Sequence, residues 1–276
     1  MTIHAPLAIQ PAAPGGGLRW AVLDGITVAK RNLIGMLRTP EVVVFGLVQP
    51  IMFVVLFTYV FGGAIRVEDY RQYLMAGVFT QTVAFATAIT CMGVAEDMKR
   101  GLMDRFRSLP MARSAVLSGR TVSDSVLSAV SLVVMALTGL LVGWRAPNGL
   151  LGAAAGFGLL LLFGFAMSWV GAFIGLAAKS AQAAQTAGTI WLFPLTFLSN
   201  AFVPVDGMPA ALRTVAEWNP VSVVVSSVRD MFGNKRVLVP DSFPSEHPLL
   251  VSAGWIVLIL VVFVPLAVRK YRAAMA

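Results

Sequence analysis

Six long apolar stretches set the limits on how this chain folds. They span residues 42–61, 73–94, 122–142, 150–178, 185–203 and 249–268. A bilayer core takes about 20 apolar residues of helix, and five of the six are near that length. The fourth is longer, so it must tilt or run past the core. Lipid offers no hydrogen-bond partners, and a helix is how a single segment satisfies its own backbone there. Charge agrees with this reading: only 12% of the 276 residues are Asp, Glu, Lys or Arg, against about 25% in soluble domains. A water-facing surface of this size would be left uncovered, which excludes a cytosolic enzyme. The expected fold is an all-α integral membrane protein with six transmembrane helices. Pro50, Pro194 and Pro265 fall inside spans, where neighbouring helices can take up the freed carbonyls. Gly139/Gly143, Gly152/Gly156 and Gly171/Gly175 have small-xxx-small spacing. The spacing alone does not say which helices meet.

The ends and loops carry the topology. Residues 1–17 have no charged side chain and are rich in Pro, Ala and Gly, which reads as a disordered tail. Over 18–38, Leu18, Val22, Ile26, Ala29, Leu33 and Leu37 recur at helical spacing, mostly opposite Arg19, Asp24, Lys30, Arg31 and Arg38. That pattern predicts a helix lying in the membrane interface, the alternative being an ordinary packed helix. With the N-terminus inside, 14 of the 21 basic residues fall in cytoplasmic segments and 7 outside. The bias predicts a multi-pass plasma-membrane protein with both termini cytoplasmic and 204–248 facing out. The net charge of +8 is therefore a topology signal, and no nucleic-acid partner is expected.

Catalytic constellations are not expected in this chain. The two histidines, His4 and His247, have no neighbouring cluster of acids or thiols at metal-ligand spacing, so no metal site is predicted. Cys91 sits in an apolar run without a nearby base. The stretch Gly175-Leu-Ala-Ala-Lys179-Ser180 lacks the Gly before Lys that a P-loop backbone needs. The chain is thus not expected to bind a cofactor or hydrolyse ATP itself.

Two stretches outside the spans stand out. In 96–120, Met98, Leu102, Phe106 and Leu109 form one apolar stripe at helical spacing, beside an i, i+4 ladder of Glu96, Arg100 and Asp104. Pro110 ends that helix. Such a helix either docks in a partner's groove or lies on the membrane surface, and the stripe is the same for both. In 197–229, Pro204 and Gly207 break the fifth span, and Pro209 and Pro220 can each open a short helix. Residues 221–228 are apolar but too short to cross. They either dip into the outer leaflet and return, or pack on the bundle.

These two stretches carry a resemblance. Glu96, Gly101, Leu109-Pro110 and Ala112-Arg113, and then Phe197-Leu198-Ser199, Phe202, Pro204, Met208-Pro209, Asn219-Pro220 and Arg229, make the chain resemble the membrane subunits of ABC-2-type exporters. The likeness is to the daunorubicin-resistance DrrB-like permeases in particular, and it extends over about residues 18–270. It implies one transmembrane domain over 18–276, with an interfacial helix, a cytoplasmic coupling helix and an outer re-entrant segment. It also implies a separate P-loop ATPase subunit that binds ATP and Mg, and a second permease copy or a paralogue. The exported substrate would be a hydrophobic drug, a lipid or a lipid-linked molecule. On this reading Glu96, Met98, Leu102, Phe106 and Leu109 couple to the ATPase. Asn219, Pro220 and Val224 belong to an outer gate.

Polar residues inside spans are costly and therefore informative. Gln49, Gln81 and Thr82, with Thr87 and Thr90, either face a central path or bond between helices. Asp124 is the one acid in an assigned span, and Arg120 lies one turn before it, placed to pair with it. The alternative function is a secondary transporter or channel without an ATPase. It would need ion-coupling groups beyond Asp124 and Lys179.

Overall fold

The computed structural model describes residues 40–61, 69–99, 113–234 and 242–274. The tail at 1–17, the interfacial helix at 18–38, and Leu102, Phe106 and Leu109 of the stripe lie outside them. Among the described residues helix is the only regular structure beyond turns. The order is α1 (Pro40–Leu56), extended by a π-helical turn (Phe57–Phe61), α2 (Tyr70–Lys99), α3 (Arg113–Val142), α4 (Gly149–Ala177), α5 (Ala181–Ile190) and α6 (Leu192–Phe197). A 3₁₀ turn (Val205–Gly207) then leads to α7 (Ala210–Trp218), α8 (Pro220–Phe232), α9 (Phe243–Glu246) and α10 (Pro248–Ala274). Four of the described helices are long and apolar enough to cross a membrane: α2, α3, α4 and α10.

Helix α2 is the central post. It is the least apolar of those four helices, yet 72% of its membrane window is buried, against 22% for α3 and for α10. The inversion has a physical reason. Lipid accepts Leu and Val as readily as protein does, so apolar helices can sit outside, whereas Thr and Gln need protein neighbours. Packed around α2 are α3, α4, α5 and α8. The outward faces of α3 and α10 carry exposed Val126, Val130, Val133, Val257, Leu258 and Val261.

Close approach explains the contact between α2 and α4. A Cβ on Gly171 would stand 2.8 Å from the Thr87 carbonyl oxygen, and one on Gly175 only 2.6 Å from that of Cys91. Only glycine lets the two backbones come this near. The pair Gly152/Gly156 faces α8 instead, against Met231 and Phe232. Gly143 takes φ +97° at the end of α3.

Two differences from expectation bear on the site, beyond α3 and α10 running longer than their apolar stretches. The stretch 73–94 is part of a longer helix, so Glu96 and Met98 lie on the last turns of α2. The stretch 185–203 is not one helix. It breaks at Trp191 and ends at Phe197, because Pro194 has no N–H to continue the ladder. By contrast Pro50 and Pro265 sit within continuous helices.

Candidate functional site

The segment after α6 is built into the core of the chain. Helix α8 opens with Pro220 at its first position, where the missing N–H costs nothing. Asn219 caps it: its Oδ1 accepts from Val221 N–H at 2.8 Å. The same side chain donates from Nδ2 to the carbonyls of Leu195 at 2.7 Å and Leu198 at 2.6 Å. One amide thus satisfies orphan groups at the end of α6 and at the start of α8. At its other end α8 closes on Gly233, φ +80°. Asn148 donates there to the carbonyls of Asp230 and Met231. Between the caps, Val221, Val224, Val225 and Val228 are all 0% exposed and join the main core. Val224 is therefore surrounded by this chain's own helices.

Arg229 ties this segment to α2. Its side chain is nearly sealed, at 2% exposure. Nε donates to the Tyr73 carbonyl at 3.1 Å, and Nη2 to the carbonyls of Asn200 at 2.9 Å and Ala201 at 3.3 Å. The guanidinium lies 3.5 Å from the centre of the Tyr73 ring, close enough for a cation–π contact. Tyr73 Oη donates to Asn200 O at 2.8 Å and Tyr70 Oη to Phe202 O at 2.9 Å. Asn200 completes the lock, donating from its N–H to Ser222 Oγ and from Nδ2 to Ser226 Oγ. A Cβ at Gly77 would meet the Ala201 carbonyl oxygen at 2.0 Å. Tyr70, Tyr73 and Gly77 thus form one face of α2, against which the 200–202 turn rests.

The opposite end of α2 carries a charged cluster. Arg120 on α3 pairs with Asp124 at 3.3 Å and with Asp97 of α2 at 3.5 Å. Thr90 of α2 donates to Asp124 Oδ2 at 2.8 Å. Nearby, half-buried Met98 packs on a small core that includes Val94, Leu117, Trp169 and Tyr271. Glu96 is half-buried one turn from the helix end. Of the proposed path residues, Gln49 on α1 is exposed, Gln81 on α2 is 5% exposed, and Thr82 donates to the Val78 carbonyl. Among the described residues no three His, Cys, Asp or Glu are placed to hold a metal ion.

The ABC-2 type transporter family matches residues 25–232, a range that includes α8 and the Arg229 lock. The chain belongs to the ABC-2 type transporter family. It is 32% identical over 254 residues to the daunorubicin resistance ABC transporter permease protein DrrB1 of Streptomyces coeruleorubidus, covering 91% of this chain and 87% of that protein. It is 26% identical over 261 residues to the probable doxorubicin resistance ABC transporter permease protein DrrC of Mycobacterium tuberculosis, covering 93% and 91%. The putative transport permease YvfS of Bacillus subtilis matches at 25% over 204 residues, 72% of this chain and 80% of that one. The relatives are transport permeases, and this ABC-2 chain with its apolar helices is a multi-pass membrane protein.

In this permease the structure brings Phe202, Asn219, Pro220 and Arg229 of the second signature into one packed unit. Tyr70, Tyr73 and Asn200 are equally part of the lock, and sequence reasoning did not single them out. A buried-arginine signal was present: Arg229 follows the apolar and small-residue run 221–228, but Asp230 stands next to it and a loop charge reads the same way.

Proposed function

We propose that this chain is the membrane-spanning permease subunit of an ATP-driven exporter that carries a hydrophobic drug, or a lipid or lipid-linked molecule, out of the cytoplasm or the inner leaflet. The 32% identity to DrrB1 over 91% of the chain carries the reading. Catalysis falls to a separate P-loop ATPase subunit, which binds ATP and Mg. Two permease copies, or this chain and a paralogue, enclose the path, in contact with membrane lipid. With six spans, 42–61 the first and the broken stretch 185–203 the fifth, both termini lie on one side, and the basic-residue bias makes that side the cytoplasm. The α7–α8 pair then faces outward and closes the exit. Gln49, Gln81 and Thr82 are the candidates for lining the path. The test is doxorubicin efflux from vesicles holding the chain with and without its co-expressed ATPase. ATP-dependent efflux is expected only with both, and efflux without the ATPase contradicts the proposal.

Coupling is assigned to the stripe of Met98, Leu102, Phe106 and Leu109, with Glu96 beside it. Phe106 has the largest apolar surface of the four, and interface energy concentrates in a few buried anchors. Phe106→Ala is expected to weaken ATPase assembly by about 2 kcal/mol or more, read as lost co-purification at matched membrane levels. Unchanged capture with unchanged hydrolysis removes Phe106 from the coupling surface.

The topology has its own check. Single cysteines at residues 2 and 235, in a Cys91→Ala background, are expected to react oppositely with an impermeant maleimide in intact cells. Labelling at residue 2 would place the N-terminus outside.

A further inference from the structure

The charged cluster between α2 and α3 has no place yet in the transport reading. Arg120 donates toward Asp97 at 3.5 Å across the helix pair, while holding Asp124 at 3.3 Å on its own helix. Thr90 reaches back from α2 to Asp124 at 2.8 Å. Two cross-helix links therefore join α2 to α3, at positions 97 and 90 of α2. The cradle is shaped for the guanidinium: a Cβ on Gly93 would stand 1.9 Å from Arg120 Nη2. Asp124 is 6% exposed, so these charges sit largely out of water.

Buried ion groups are poor stabilisers, because desolvation offsets much of their attraction. Apolar side chains would hold two helices together as well. What charge adds is directional geometry, one register between α2 and α3. That register has a place to matter. Residues 100–112, most of the proposed coupling segment, follow Lys99 of α2 and precede Arg113 of α3 in the sequence, and these two helices are its stems. Asp97 lies two residues from the end of one stem.

We propose that Arg120, Asp97, Asp124 and Thr90 form a clasp that makes the two stems move as one body when the ATPase pushes on 100–112. Arg120 is a positioning residue for transport, acting through the spans. With the clasp open the stems yield separately, and hydrolysis proceeds without export. This role rests on the exporter reading above.

The experiment uses the permease–ATPase complex in proteoliposomes, with doxorubicin as the transported probe. Asp97→Asn removes the charge partner on α2 and leaves the Arg120–Asp124 pair. Thr90→Val removes the second link. Arg120→Lys keeps a cation in the cradle. Asp97→Asn is expected to retain the ATPase and its hydrolysis rate, while doxorubicin moved per ATP falls about fivefold or more, the lower end of measured site-to-site coupling. Thr90→Val falls in the same direction, and Arg120→Lys keeps part of the ratio. An unchanged ratio overturns the proposal. A fall that tracks lost ATPase capture also overturns it, since that marks a merely structural role. A second arm is independent of transport. Spin labels at Lys99→Cys and Val122→Cys, both exposed sites, report the distance between the stems. A narrow distribution is expected in the parent and a broadened one in Asp97→Asn. No broadening overturns the clasp. A parent complex that moves no doxorubicin counts against the exporter reading and leaves this arm to decide the clasp.

Discussion

Arg229→Met is expected to lower the folding stability of the chain by about 3 kcal/mol or more. Three carbonyls, those of Tyr73, Asn200 and Ala201, accept from this guanidinium. A hydrogen bond to a charged group contributes roughly 1.5–3 kcal/mol, so three of them exceed this loss even after part is offset by desolvation of the buried guanidinium and although the Asn200 carbonyl keeps its bond from Tyr73 Oη. The site is almost sealed, so water does not readily take over. Methionine fills much of the volume, which isolates the polar loss from a cavity. Arg229→Lys is expected to recover only part. An ammonium carries donors on one atom, while the planar fork reaches Tyr73 on one side and the 200–201 turn on the other. Denaturant titration in mixed micelles measures both variants. A value for Arg229→Met within about 0.5 kcal/mol of the parent, the range of an ordinary surface substitution, would show that the lock is not structural.

Gly175→Leu is expected to be as damaging, for a steric reason. Even one methyl at this position falls 2.6 Å from the Cys91 carbonyl oxygen and 2.9 Å from Val94 Cβ. Neither neighbour is a flexible side-chain end, so α2 and α4 must move apart as rigid bodies. Overpacking usually costs about 1–3 kcal/mol, and more where the backbone itself is the obstacle. The expected loss is about 3 kcal/mol or more for Leu, and about 1–3 kcal/mol for Ala. At Gly158, on the same helix, an added methyl would meet nothing within 4 Å. Gly158→Ala is therefore expected to be neutral, or to gain up to about 1 kcal/mol from helix propensity. The pair is read by the same titration. Equal behaviour of Gly175→Ala and Gly158→Ala would remove the close-approach argument for α2 and α4.

Much of the helical content was legible without coordinates. Apolar length marked the stretches that became α2, α3, α4 and α10, since one bilayer dimension sets that length. Pro209 and Pro220 announced α7 and α8, because a proline ring is preset for a helix start. The i, i+4 spacing of Arg120 and Asp124 announced their pairing. These signals are local: each is carried by residues within a turn or within one element.

Only the tertiary structure decided the rest, because it depends on residues far apart in the chain. Arg229 and Tyr73 are 156 residues apart, and Tyr70 and Phe202 are 132 apart. No periodicity in α8 says that its arginine will find three carbonyls rather than water. Likewise Pro50, Pro194 and Pro265 look alike in apolar runs, but only Pro194 stands at a break, between Trp191 and Phe197. There Asn219, the cap of α8, takes up the Leu195 and Leu198 carbonyls. The Gly pairs share one spacing, yet Gly171/Gly175 face α2 and Gly152/Gly156 face α8. In an apolar solvent, helix formation follows from the sequence of each segment. Which faces meet is settled by packing and polar satisfaction between segments, and those are properties of the assembled bundle.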